Sequence, residues 1–226
     1  MSNATPSNVG YDDLVKRLRG CTDCGDAMVN TQGCNHPSSW GYLTWRGQQL
    51  SARRPKLLVV GQYPAGLQNC DATRWMPGET NPTNINLRLL LEETGLEPAD
   101  VHLTNAVLCL KRGTMTEPVP GGVQANCRSR LAETIDMLKP RAVVALGGNA
   151  WRALGALYGF TATPLKTAVG SPPSRSPSGL AVFSRYHCGR SGSNPARGGR
   201  AFVQQRQDWR EVGAWLREEA QAVSAV

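Results

Sequence analysis

The 226-residue sequence has no apolar run long enough to cross a bilayer, which excludes a membrane-spanning helix. Its first residues, MSNATPSNVG, lack the apolar core of a signal peptide, so the protein is expected to be intracellular, in the cytoplasm. It has no internal repeat. Its seven cysteines are an odd number, and in an intracellular chain they do not make a disulfide framework. Metal or cluster ligation and buried free thiols remain as readings. The glycine loop at 61–66, GQYPAG, has neither GxGxxG nor GK[ST], which excludes a dinucleotide or P-loop site there.

Composition is otherwise that of a folded domain. Hydrophobic residues make up 40% and charged residues 19%, enough for one sizeable core. Residues 1–10 are read as a disordered N-terminus and 11–226 as a single domain, expected to be a monomer. The formal net charge is +8 and the pI about 9.4. Such a balance serves solubility, and it also attracts polyanions, of which nucleic acid is the commonest.

The chain is organised around Lys56–Gly66, KLLVVGQYPAG. Leu57–Val60 is a short continuous apolar run, the pattern of a strand buried on both faces. Three further strands are predicted at Val101–Leu110 with its edge loop, Ala142–Leu146 and Leu180–Tyr186. Helices are predicted at Tyr11–Arg19, around 87–95, at Val123–Leu138, at about 149–158 and at about 202–222. Residues 25–52 read as a loop pinned by Trp40, Tyr42 and Trp45. Residues 164–179 read as a Pro/Ser/Gly loop, and the Gly/Ser/Arg-rich stretch 188–200 as mobile. Strands alternating with helices predict an α/β fold, a three-layer α/β/α sandwich around a central four-stranded, mostly parallel sheet.

In such a sheet, ligands bind at the carboxyl ends of the strands. The polar residues there are Gln62 and Tyr63, Asn105, and His187. Taken singly, a buried asparagine is usually structural and a histidine usually a hydrogen-bonded core residue. Their shared position is what makes a site. A second constellation is Cys21-x-x-Cys24 with Cys109 and Cys127. Four thiolates accept either zinc or a [4Fe–4S] cluster. Cys34, Cys70 and Cys188 are left over.

In their order these motifs resemble the uracil-DNA glycosylase superfamily, most closely its iron–sulfur-containing, family-4-like branch. The residues that carry the likeness are Cys21/Cys24, GQYPAG at 61–66, Thr104-Asn105 with Cys109, Cys127, PRAVVALG at 140–147, Tyr186-His187, and Asp208-Trp209 in the last helix. The likeness covers about residues 11–222.

The resemblance implies DNA as partner, a flipped pyrimidine base as substrate and hydrolysis of its N-glycosidic bond. It implies that Cys21, Cys24, Cys109 and Cys127 hold a [4Fe–4S] cluster, with zinc as the alternative. Asn105 would read the edge of the flipped base, Trp75 would stack on it, and Gly61, Tyr63 and Pro64 would line its pocket. His187 would stabilise the departing base anion. Gly66, Arg190, Ser191, Arg197 and Arg200 would meet the DNA.

Four positions depart from the pattern. Gln62 stands where the branch has glutamate, and Tyr63 where the best-known branch has aspartate. His187-Cys188-Gly189 replaces the usual His-Pro-Ser. Asp71 or Glu79 would be the remaining local sources of a carboxylate. A binding protein without catalysis, or a cluster-based redox sensor, are the alternative readings.

Overall fold

The computed structural model describes residues 6–25, 28–29, 43–62, 82–111 and 121–224. In chain order the elements are α1 (Pro6–Arg19), β1 (Met28–Val29), β2 (Thr44–Trp45), β3 (Gln48–Gln49), β4 (Leu57–Gly61), α2 (Pro82–Glu93), β5 (Val101–Asn105), β6 (Leu110–Lys111), α3 (Gly121–Leu138), β7 (Ala142–Leu146), α4 (Gly148–Tyr158), α5 (Leu165–Val169), β8 (Ser174–Arg175), β9 (Ala181–Arg185) and α6 (Phe202–Ser224).

The main sheet runs β5-β4-β7-β9-β8. Its four longer strands are parallel and buried at every residue; β4 and β7 are unbroken apolar sequences, whereas β5 and β9 also bury polar residues, His102, Thr104 and Asn105 in one and Ser184 and Arg185 in the other. Side chains alternate across the sheet and divide the core in two. Leu57 and Val59 join a cluster with Leu87, Leu90, Trp209, Val212 and Leu216 of α2 and α6. Leu58 and Val60 join one with Leu14, Leu131, Ile135, Trp151 and Leu154 of α1, α3 and α4. This is the expected three-layer sandwich. Among the described residues no helix is long and apolar enough to cross a membrane.

Among the described residues the sheet has five strands, not the four expected from sequence. The fifth, β8, is antiparallel to β9, with Ser174 opposite Val182 and Arg175 opposite Ala181. It is made by turn chemistry instead of a hydrophobic pattern. Gly179 N–H donates to Ser176 O, and Leu180 N–H donates to Ser176 Oγ. Two residues are too few to show a period. The same holds for β2 and β3, a hairpin inside the stretch read as loop, whose turn residues Arg46 and Gly47 both have positive φ, 49° and 75°. Trp45 is buried in the core, as expected. Helix α1 starts at Pro6, ahead of the expected Tyr11.

The strand order sets the place of a site. From β4 the chain steps to β5 on one side, then crosses to β7 and β9 on the other. The direction reverses between β4 and β7, and the crevice at such a switch point opens at the carboxyl ends of the strands.

Candidate functional site

Gln62, Asn105 and His187 all lie at that carboxyl edge. Gly61 and Asn105 are direct partners in the β4–β5 register. The pairing continues past the ladder: Ala106 N–H donates to Gly61 O at 2.8 Å and Val107 N–H to Gln62 O at 2.9 Å. Gln62 is therefore held beside the end of β5, and Asn105 is buried next to it.

At the end of β7, Gly147 has φ 93° and donates its N–H to Arg185 O at 2.7 Å. A Cβ on Gly147 would already touch the His187 Cβ, at 3.4 Å. Glycine is favoured here by the positive φ, and it sits directly against His187.

The His187 ring is mostly buried, which lowers its pKa from the ordinary 6.5. Gly189 N–H donates to His187 Nδ1 at 3.0 Å. A nitrogen that accepts carries no proton, so the neutral ring has its proton on Nε2. His187 is thus a neutral N–H donor beside the crevice.

The next residue anchors the ring. The Cys188 thiol is fully buried and donates to Thr83 O at 3.3 Å, and Asn86 Nδ2 donates to Cys188 O at 2.8 Å. Burial pushes the Cys188 thiol up to about 12, so it is an inert packing group. Sequence reasoning missed Thr83 and Asn86. Their only signal was polarity inside the apolar pattern of α2.

The stretch 188–200, read from sequence as mobile, is a folded loop with a dense set of hydrogen bonds. Asn194 caps a short turn at Pro195–Arg197 by accepting from Ala196 N–H at 3.0 Å. Arg190, Ser191 and Arg197 are exposed. Arg200 is turned inward. Its Nε and second guanidinium nitrogen donate to Asp208 at 2.6 and 2.8 Å. Of the expected base and DNA contacts, Tyr63, Pro64, Gly66 and Trp75 lie outside the described residues, as do Asp71 and Glu79.

The cysteine constellation is assembled at a separate place. Antiparallel pairing of β1 with β6 brings the segment after Cys24 against the segment after Cys109. Cys21, Cys24, Cys109 and Cys127 line one cavity of about 240 Å³, with Met28, Leu108 and Arg130 in its wall. Cys127 is raised above the ordinary thiol value, first by burial and then by its neighbours Cys24, Cys21 and Asp23. Asn126 Nδ2 donates to Asp23 O at 3.0 Å and to Cys24 Sγ at 3.6 Å. Among the described residues no three His, Cys, Asp or Glu side chains are grouped to hold a single metal ion. Cys188 lies in a different part of the core. Cys34 and Cys70 lie outside the described residues.

The model of the uracil DNA glycosylase superfamily matches residues 48–210, from β3 into α6, and so takes in Gln62, Asn105 and His187. The chain belongs to the uracil DNA glycosylase superfamily. It is similar to a "Type-5 uracil-DNA glycosylase" of Pyrobaculum aerophilum, 29% identical over 194 residues that cover 78% of this chain and 81% of that protein. That relative carries the type-5 name, whereas the motif order resembled a family-4-like branch. The superfamily's stretch in this chain includes two of the four cavity cysteines, Cys109 and Cys127; Cys21 and Cys24 precede it.

Proposed function

We propose that this protein is a DNA glycosylase that takes uracil, or another altered pyrimidine, out of the duplex and hydrolyses its N-glycosidic bond. The observation that carries the reading is the neutral Nε2–H donor of His187 on the same sheet edge as Asn105 and Gln62. The base must leave the stack before its bond to the sugar can be reached. The Asn105 amide offers one donor and one acceptor group, which suits a pyrimidine edge. As the C1′–N1 bond breaks, its electron pair passes to the base and positive charge grows on the sugar. A donor fixed at the base oxygen stabilises that departing anion, and a neutral ring does so without giving up a proton. Water then adds to C1′, and the proton it loses passes through solvent to the base anion, giving free base and an abasic sugar. Gln62 offers an amide oxygen to orient that water but cannot take its proton. Arg190 and Arg197, exposed on the loop that follows His187, suit phosphate contact.

The cavity cysteines supply an all-sulfur donor set, the chemistry that suits an iron–sulfur cluster or zinc. Cys21, Cys24, Cys109 and Cys127 would hold it. When bound, the group would tie the α1 end, the β5–β6 turn and α3 together. No catalytic step passes through it.

A second reading, a glycosylase fold that binds DNA without releasing a base, is favoured by Gln62, which replaces a carboxylate with an amide. The deciding experiment is base release from a panel of oligonucleotides carrying modified bases, by wild type, His187→Ala and Gln62→Glu. Removal of one such donor costs about a hundred- to a thousandfold in rate. The enzyme reading expects that loss for His187→Ala and a gain for Gln62→Glu. If wild type releases nothing, Gln62→Glu gains nothing and DNA is still bound, the binding-protein reading replaces it.

A further inference from the structure

The carboxylate of Asp208 is 4% exposed, and it is met by both donors of the Arg200 fork. The main-chain oxygen of Asp208 accepts from Nε of Arg185, itself buried, at 3.0 Å. From this fixed point the contacts run toward the histidine. Arg200 N–H donates to Gly192 O at 2.9 Å. Gln205 Nε2, buried one turn before Asp208, donates to the same Gly192 O at 3.0 Å, to Arg200 O at 3.0 Å and to Ser193 Oγ at 3.3 Å. Gly192 in turn lies so close over the His187 carbonyl that a Cβ would overlap it. Ser193 closes the chain: its N–H donates to Gly189 O at 3.0 Å and its hydroxyl to Cys188 O at 3.2 Å. Gly199 is packed as tightly, since a Cβ there would come within 2.6 Å of the Gly192 and Ser191 oxygens.

Each link is directional. A carbonyl gripped by two donors cannot rotate without losing both bonds, and Gly192 cannot move toward His187. The loop therefore transmits the position of α6 to the backbone of His187, Cys188 and Gly189. That backbone includes the Gly189 N–H that fixes the ring's tautomer. An arginine whose fork is spent on a buried carboxylate is poorly placed to serve a phosphate as well.

We propose that Arg200, Gln205 and Asp208 form a clamp that positions His187 as a neutral Nε2–H donor, so that Arg200 acts inward on the catalytic loop and not outward on DNA. All three are positioning residues, and their effect on rate rests on the glycosylase reading above.

The test uses the full chain and two independent readouts. The first is the ¹⁵N spectrum of the His187 ring in the free protein, which distinguishes a ring protonated only at Nε2 from a mixture of tautomers. The second is single-turnover base release, measured alongside duplex affinity as a function of salt. Asp208→Asn and Arg200→Ala should turn the single-tautomer spectrum into a mixture. They should slow release by about ten- to a hundredfold, the scale of an ångström-sized misplacement, with duplex affinity held within about twofold. Arg200→Lys keeps the charge pair and the fold but forfeits the fork, and should fall between wild type and Arg200→Ala in both readouts. It keeps the question decidable if Asp208→Asn does not fold.

The clamp is overturned if Arg200→Ala and Arg200→Lys leave the ring spectrum as in wild type. It is overturned equally if Arg200→Ala instead weakens duplex binding and lowers the salt slope by about one, the signature of a lost phosphate contact. If wild type releases no base yet the variants disturb the ring, the clamp stands and the glycosylase reading fails, so the two failures are told apart.

Discussion

Gly192→Ala is a one-methyl change that the structure makes severe. In an exposed loop such a change usually alters stability by less than about 0.5 kcal/mol, and it can stabilise by restricting the unfolded chain. The φ of Gly192 is not in the left-handed region, so the backbone itself would accept alanine. The obstacle is steric. The new Cβ would overlap the His187 carbonyl and lie 3.1 Å from its Cα. Since carbon atoms pack at about 3.5–4.0 Å, the two segments must part by on the order of 1 Å. Such a displacement at a reacting group costs about a hundredfold in rate, or about 2.7 kcal/mol of barrier. The accompanying overpacking should cost about 1–3 kcal/mol of stability. The assay is single-turnover base release with thermal unfolding on the same samples. Duplex binding should change little, because Arg190 and Arg197 remain exposed. Gly198→Ala is the control: Gly198 has φ 74° and open space around its Cβ position. It should lose stability through strain, by about 1–2 kcal/mol, without a comparable loss of rate. If Gly192→Ala released base at the wild-type rate with an unchanged unfolding midpoint, the packing of this loop on His187 would be wrong.

Two further outcomes follow. Replacing Cys21, Cys24, Cys109 or Cys127 by serine should remove bound metal, the broad absorbance near about 400 nm expected of a cluster, and stability together, whereas Cys188→Ser should keep the metal; metal analysis and absorbance check this, and stoichiometric zinc in colourless wild type would reject iron–sulfur but not the site. The pKa of His187 lies below 6.5 because of burial, so its contribution to stability is complete above that pH and is lost as pH falls through the lower folded value; thermal unfolding against pH should show a shallower acid limb for His187→Ala than for wild type, and coincident limbs would refute this.

The parts of the fold written in continuous apolar runs were legible. Leu57–Gly61 and Ala142–Leu146 fell within a residue of expectation, because a strand buried on both faces favours an unbroken apolar sequence, and Ala181–Arg185 did so through the apolar start Ala181–Phe183. The parts written in turn chemistry were not. β8 exists through Ser176 and Gly179, and the β2–β3 hairpin through Arg46 and Gly47. Helix α1 begins at a proline, which suits the first helical position but reads as a tail when followed by serine and asparagine. Gln62, Asn105 and His187 stand at the strand ends where the sequence pattern put them, because that edge follows directly from the strand positions. The Arg200–Asp208 pair was not legible, since composition cannot tell an arginine facing solvent from one whose partner lies eight residues on. Gln205 carried no signal at all, because its three acceptors are carbonyl or hydroxyl oxygens on the loop and not complementary residue types.

On the glycosylase reading proposed above, the site's energetics would turn on position 62, where the chain has the amide of Gln62. A glutamate there could accept a proton from water as it attacks the sugar. An amide can only hold the water in place, so the nucleophile stays weak and bond breaking must run ahead of bond making. The barrier then depends on how well negative charge is borne by the departing base. This would put the burden on the carboxyl end of β9, where His187 is mostly buried, held in one tautomer by Gly189 and backed by Gly147. A donor acts in that way only if it is fixed before the reaction, because a ring that must turn into place loses in reorganisation what it gains in charge stabilisation. The close packing of Gly192 and Gly199, and the buried fork of Arg200 on Asp208, are what a loop needs in order to be rigid while carrying almost no apolar side chains. On that reading, an amide at position 62 and a tight loop around His187 are two sides of one arrangement.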